Sequence, residues 1–162
     1  VLLVERDGLG QHASGVAAGM LAPVTETLHA EPEAMLEPGL LSLELFVPFM
    51  REAADLSGID PDYQQTGTLH ASTELDAQLL RRRAEALSDY GSCWLSPEEA
   101  LKREPHLHPE IAGAVWTARE ARVDGTSLVR AFSAAADAAK EAAPAPVVVK
   151  KGGSSFLQSP SR

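Results

Sequence analysis

The chain has 162 residues, 44% of them hydrophobic, enough for one domain with its own core, since domains of about 100 to 200 residues are ordinary. A net charge of −9 and an isoelectric point near 5.0 exclude nucleic acid as a natural partner, because phosphate-backbone binding draws on clustered Lys and Arg. A single cysteine, Cys93, rules out an internal disulfide, and with no signal peptide and no apolar run near the ~18 residues that span a bilayer, the expectation is a soluble, cytoplasmic chain without a membrane partner.

Val1-Leu2-Leu3-Val4 is a continuous β-prone run ending in an acid, Glu5, as in a parallel strand buried on both faces. Asp7-Gly8-Leu9-Gly10 follows as a turn, and residues 13–19 are small enough for backbone to approach a ligand closely. Residues 37–57 read as a helix carrying Leu41, Leu45, Phe49 and Leu56, with a bend at Pro48 and a stop at Gly58. A strand is predicted over 66–72. The helix after it is capped by Thr73 and carries Leu75, Leu79, Ala86 and Leu87 on one face as far as Gly91. Its triplet Arg81-Arg82-Arg83 lies among Glu74, Asp76, Glu85 and Asp89 and reads as a solvated face.

Ser96-Pro97-Glu98-Glu99 combines an N-cap Ser, a Pro at the first helical position and a Glu three residues after the cap, and so starts a short helix that ends before Pro105. Residues 111–116 read as a strand, 124–143 as an Ala-rich helix with Leu128, Phe132 and Ala135 or Ala136 inward, and Val147-Val148-Val149 as the next strand. Residues 151–162 lose periodicity and read as a disordered tail. Alternating strands and helices predict an α/β or mixed α/β fold.

Few side chains invite a chemical role on their own. Glu5 stands where the acid ending the second strand of a dinucleotide-binding unit would bind ribose hydroxyls, but a strand ending in Glu is common. His106 and His108 flank one residue between prolines, yet no third ligand accompanies them, so a surface loop is the better reading and no metal is expected. Trp94 and Trp116 read as core packing, and nothing assigns His12 or His29 a proton-transfer role.

The segment Ala13-Ser14-Gly15-Val16-Ala17-Ala18-Gly19-Met20-Leu21-Ala22-Pro23 resembles the AS-x-x-AAGML-AP segment of FAD-dependent oxidoreductases of the D-amino-acid oxidase superfamily, nearest to the glycine oxidases of thiamine biosynthesis. Further landmarks resemble the same family: Ser57-Gly58-Ile59-Asp60, Tyr63, Thr66-Gly67-Thr68-Leu69, Trp94-Leu95-Ser96-Pro97-Glu98-Glu99-Ala100, Glu104-Pro105, Gly113-Ala114 and Val123-Asp124. Gly125 departs from the family's usual Pro.

The resemblance implies an incomplete Rossmann-like FAD-binding fold interleaved with part of a mixed α/β substrate domain. Residues 1–61 would belong to the FAD-binding domain, 62–122 to the substrate domain and 123–150 to the return, with 151–162 outside the family. It implies FAD as cofactor, with Glu5 on the ribose, Arg6 by the adenine, and Ala13, Ser14, Ala18, Gly19 and Met20 lining the flavin. The implied reaction moves a hydride from a small amino acid or amine to the flavin, converting glycine to glyoxylate and ammonia while oxygen is reduced to peroxide. The family's upstream glycine fingerprint, its substrate-carboxylate arginine and its final flavin-binding glycines are not in the sequence, so a fragment is expected and no catalytic residue is assigned. An inactive truncated remnant, or a related sarcosine, proline or D-amino-acid oxidase or dehydrogenase, remains open. The full-length form is a candidate homo-oligomer.

Overall fold

The computed structural model describes residues 8–28, 33–142, 148–151 and 154–157, so the strand expected at 1–4, Glu5 and Arg6 lie outside the described residues. The fold is mixed α/β. At its centre lies a three-stranded antiparallel sheet of order β2-β4-β3, formed by β2 (Thr68–Ser72), β3 (Ser92–Leu95) and β4 (Gly113–Thr117). Trp116 pairs with both Leu69 and Cys93, and Val115 with both His70 and Trp94, so alternate rows face opposite sides of the sheet. The sequence reading missed β3, whose four residues between a Gly and a capping Ser are too few to show alternation.

Helix α3 (Ala77–Ala86) covers the Val115 side. There Leu80, Ala84, Leu87 and Val115 join Val24, Leu28 and Leu36 in the main core. Full burial of a side chain such as Leu80 contributes roughly 1.5–3 kcal/mol. The helix starts later than Thr73 predicts. Asp76 Oδ1 accepts hydrogen bonds from Thr73 N, Thr73 Oγ1 and Ser72 Oγ, which ties residues 72–76 into a turn and leaves Leu75 exposed ahead of the helix. The buried face is therefore Leu80, Ala84 and Leu87, whereas Leu79 points to solvent.

Helix α4 (Pro97–Arg103) begins as predicted: Ser96 Oγ accepts from Glu99 N at 3.3 Å and Glu99 Oε2 accepts from Ser96 N at 2.8 Å. Its last residue, Arg103, lies over the Trp116 ring at 3.9 Å. Helix α2 (Glu33–Ser57) runs 25 residues through Pro38 and Pro48, starts before the expected residue 37 and stops where Gly58 takes φ +69°. Its inward residues are Leu36, Met50 and Ala53; Leu41, Leu45, Phe49 and Leu56 have the predicted helical spacing but stand exposed. Helix α5 (Gly125–Ala142) packs along α2, with the Phe132 ring 6.4 Å from Phe46 and 5.1 Å from Phe49. Ala131 and Ala135 are buried on it, whereas Ala136 is exposed.

Two short antiparallel pairs complete the described strands. β1 (Met20–Leu21) pairs with β5 (Ala121–Arg122), and β6 (Val148–Lys151) with β7 (Ser154–Leu157). The second pair places a strand at Ser154–Leu157, within the stretch expected to be irregular, opposite β-preferring Val148 and Val149.

Candidate functional site

The small-residue segment begins with a single helical turn, α1 (Ala13–Val16), and leaves it at Ala17 in extended conformation. Its glycines answer to backbone packing. A Cβ at Gly15 would lie 1.8 Å from the carbonyl oxygen of Gly10. Gly19 has φ +73°, and a Cβ there would lie 2.0 Å from the carbonyl oxygen of Val123. Val123 N donates to Gly19 O at 2.9 Å, and the ribbon continues through Met20 opposite Arg122 and Leu21 opposite Ala121.

The residues after β5 hold the other side of the segment. Asp124 N donates to Pro61 O at 2.8 Å, while Asp124 Oδ1 accepts from Ser127 N at 2.6 Å and caps α5. That backbone donor holds the Asp124 carboxyl below its ordinary range. A Cβ at Gly125 would come 3.3 Å from the carbonyl oxygens of Ser14 and Ala17, a tight approach where helix meets segment. Arg122 extends outward to Asp62 at 3.3 Å in a half-exposed ion pair.

With its backbone held from behind, the segment turns its side chains outward. Ala13, Ser14, Ala17 and Ala18 are exposed, as are Val16 at 85% and Met20 at 60%. Ser14 Oγ makes no hydrogen bond among the described residues. A shallow surface of methyl groups, one thioether and one available hydroxyl suits a flat aromatic ligand with polar edges, whose bulk larger side chains would exclude. These residues fit a flavin. Beside them runs a groove of about 220 Å³ between Leu21, Ala22 and Pro23 on one wall and Gly39, Ser42 and Phe46 on the other.

Of the residues expected at the site, the structure brings Ala13, Ser14, Ala18, Gly19 and Met20 together on this segment; Glu5 and Arg6 lie outside the described residues. One residue the sequence reading passed over lies close behind them. Glu120 is 0% exposed; its Oε1 accepts from Val24 N at 2.8 Å and Thr25 N at 2.7 Å, and its Oε2 from Thr25 Oγ1. Nothing in Ala118-Arg119-Glu120-Ala121 marks that acid as buried.

The other candidates resolve locally. His106 Nδ1 lies 3.0 Å from Glu104 Oε1, and His108 Nδ1 accepts from Glu110 N at 3.3 Å. Among the described residues no group of three His, Cys, Asp or Glu could hold a metal ion, and no helix is long and apolar enough to cross a membrane. Trp94 packs against the main core with Arg81 5.2 Å above its ring.

The chain matches the family model described as FAD dependent oxidoreductase (DAO) over residues 1–143. Glycine oxidase of Geobacillus kaustophilus is 32% identical over 143 residues, which cover 86% of this chain and 37% of that protein. The bifunctional protein ThiO/ThiG of Synechocystis is 30% identical over 136 residues, covering 84% of this chain and 19% of its own length. The crystal structure of the Geobacillus kaustophilus glycine oxidase superposes with a TM-score of 0.71 at 30% identity, covering 80% of this chain and 35% of the other. The chain thus spans 37% or less of the length of these relatives.

Proposed function

Since the chain belongs to the FAD dependent oxidoreductase family, a family of flavoprotein enzymes, we propose that Ala13, Ser14, Ala18, Gly19 and Met20 line bound FAD, with Glu5 on the ribose and Arg6 beside the adenine. The protein they belong to oxidatively deaminates glycine or a small amine in thiamine biosynthesis, in the cytoplasm and with oxygen as electron acceptor. The observation that carries this reading is the exposed face of small residues, its backbone clamped by Gly19 and Val123.

Bound FAD supplies the hydride acceptor for oxidation of the substrate C–N bond. The chain's own part is positional. Ala17 and Ala18 leave room for the ring, the Ser14 hydroxyl is available to donate to a cofactor oxygen, and Met20 offers a polarisable apolar contact. The Met20–Arg122 pairing sets the register of that residue in the ribbon.

The test is a flavin titration of the chain followed by peroxide detection with glycine, sarcosine, D-alanine and proline. Saturable flavin binding by the chain is the expected outcome, and any turnover should be fastest with glycine. Faster turnover of another substrate reassigns the reaction within the family, and flavin binding without any turnover assigns the chain to cofactor binding alone. Absence of flavin binding overturns the proposal.

A further inference from the structure

We propose that Glu120 is a positioning residue for the flavin-facing segment, a buried carboxylate clamp that sets the backbone running from Met20 to Thr25. The proposal rests on the flavin reading of that segment. Its carboxylate accepts from Val24 N, Thr25 N and Thr25 Oγ1, all more than ninety positions away in sequence, with |i−j| of 96 and 95. No cation is among these partners. A buried carboxylate is costly unless its oxygens are satisfied, and here three donors satisfy it.

The placement of those donors decides what the clamp does. Val24 and Thr25 open the 3-10 turn Thr25–Leu28, whose first N–H groups have no partners within the turn. Glu120 closes that end. At the other end Arg83 donates to the carbonyl oxygens of Thr27, at 3.1 Å, and Leu28. An acid at the start and a base at the end follow the polarity of the turn's peptide dipoles. On its own side, Glu120 immediately precedes Ala121, the partner of Leu21, and its carbonyl accepts from Gly67 N at 2.9 Å. One residue therefore joins the β1–β5 ribbon, which ends at Leu21, to the turn that starts four positions later at Thr25. Once Leu21 and Val24 are both fixed, Met20 cannot shift without breaking the ribbon.

The full 162-residue chain would be compared as wild type, Glu120→Gln, Glu120→Ala and Ser96→Ala, the last a destabilised control at the start of α4, away from the segment. Amide hydrogen exchange is read without FAD and FAD affinity by flavin fluorescence, at temperatures where the variants are equally folded. Glu120→Ala is expected to lose protection at Val24, Thr25 and Val123 and to bind FAD roughly tenfold or more weakly than Ser96→Ala, the cost of losing one charge-assisted hydrogen bond. Glu120→Gln, which keeps an acceptor oxygen, falls between and serves if the alanine variant does not fold. Equal FAD affinity in Glu120→Ala and Ser96→Ala overturns the positioning role. If wild type binds no FAD, the flavin reading fails by itself, and exchange at Val123, whose N–H donates to Gly19 O, decides the clamp: unchanged protection in Glu120→Ala overturns it.

Discussion

Gly19 and Ala18 are neighbours with opposite sensitivities. Gly19 is constrained from behind by Val123 O, so Gly19→Ala should destabilise the chain by about 1–3 kcal/mol, a loss measurable by urea unfolding. Ala18 is exposed, so Ala18→Leu should leave unfolding within about 0.5 kcal/mol of wild type while weakening flavin affinity roughly tenfold or more. If Ala18→Leu binds FAD as wild type does, that side chain does not face the cofactor. At this scale the segment was legible in the sequence, because a run of Ala, Ser and Gly is unusual between a turn and a β-prone pair. Glu120 was not. Its burial follows from contacts about ninety-five residues distant, and a lone acid carries no periodic signature.

Elements whose signals are local came through best. The capping box of α4 needs only Ser96 and Glu99, and Gly58 stops α2 by its own conformation. The face a helix buries depends on what packs against it, and that is why Leu41, Leu45 and Phe49 gave α2 its period without being its core. Ser96→Ala should cost about 1 kcal/mol, and Leu80→Ala, at the centre of the main core, about 2–5 kcal/mol by thermal or urea unfolding. The caps also predict an acid limb. Backbone donation from Ser96 holds Glu99 below its ordinary 4.5, and donation from Ser127 holds Asp124 below its ordinary 3.8. Both carboxyls are depressed by folding, so their stabilising contribution is complete above those ordinary values and disappears as pH falls through the lower folded values. Unfolding midpoints of Glu99→Gln and Asp124→Asn should accordingly fall less than wild type over that interval; parallel curves would show the caps do not couple to folding.

For the whole molecule, the described strands pair only antiparallel, α3 and α4 pack against the central sheet, and α2 packs against α5. The first expected strand, with Glu5 and Arg6, lies outside the described residues, so the site is built here from its segment alone. The mixed α/β class was legible from alternating element types, whereas the antiparallel order β2-β4-β3 was not, because pairing partners such as Thr68 and Thr117 are far apart in the chain.

The three methionines provide the most direct test of the central claim that this segment faces FAD. Met20 is 60% exposed on the segment, Met35 is 69% exposed on α2, and Met50 is 4% exposed in the core. Peroxide oxidation read by mass spectrometry, with and without saturating FAD, should show Met20 protected by the cofactor, Met35 oxidised equally in both and Met50 unreactive. Equal oxidation of Met20 with and without saturating FAD would contradict the account.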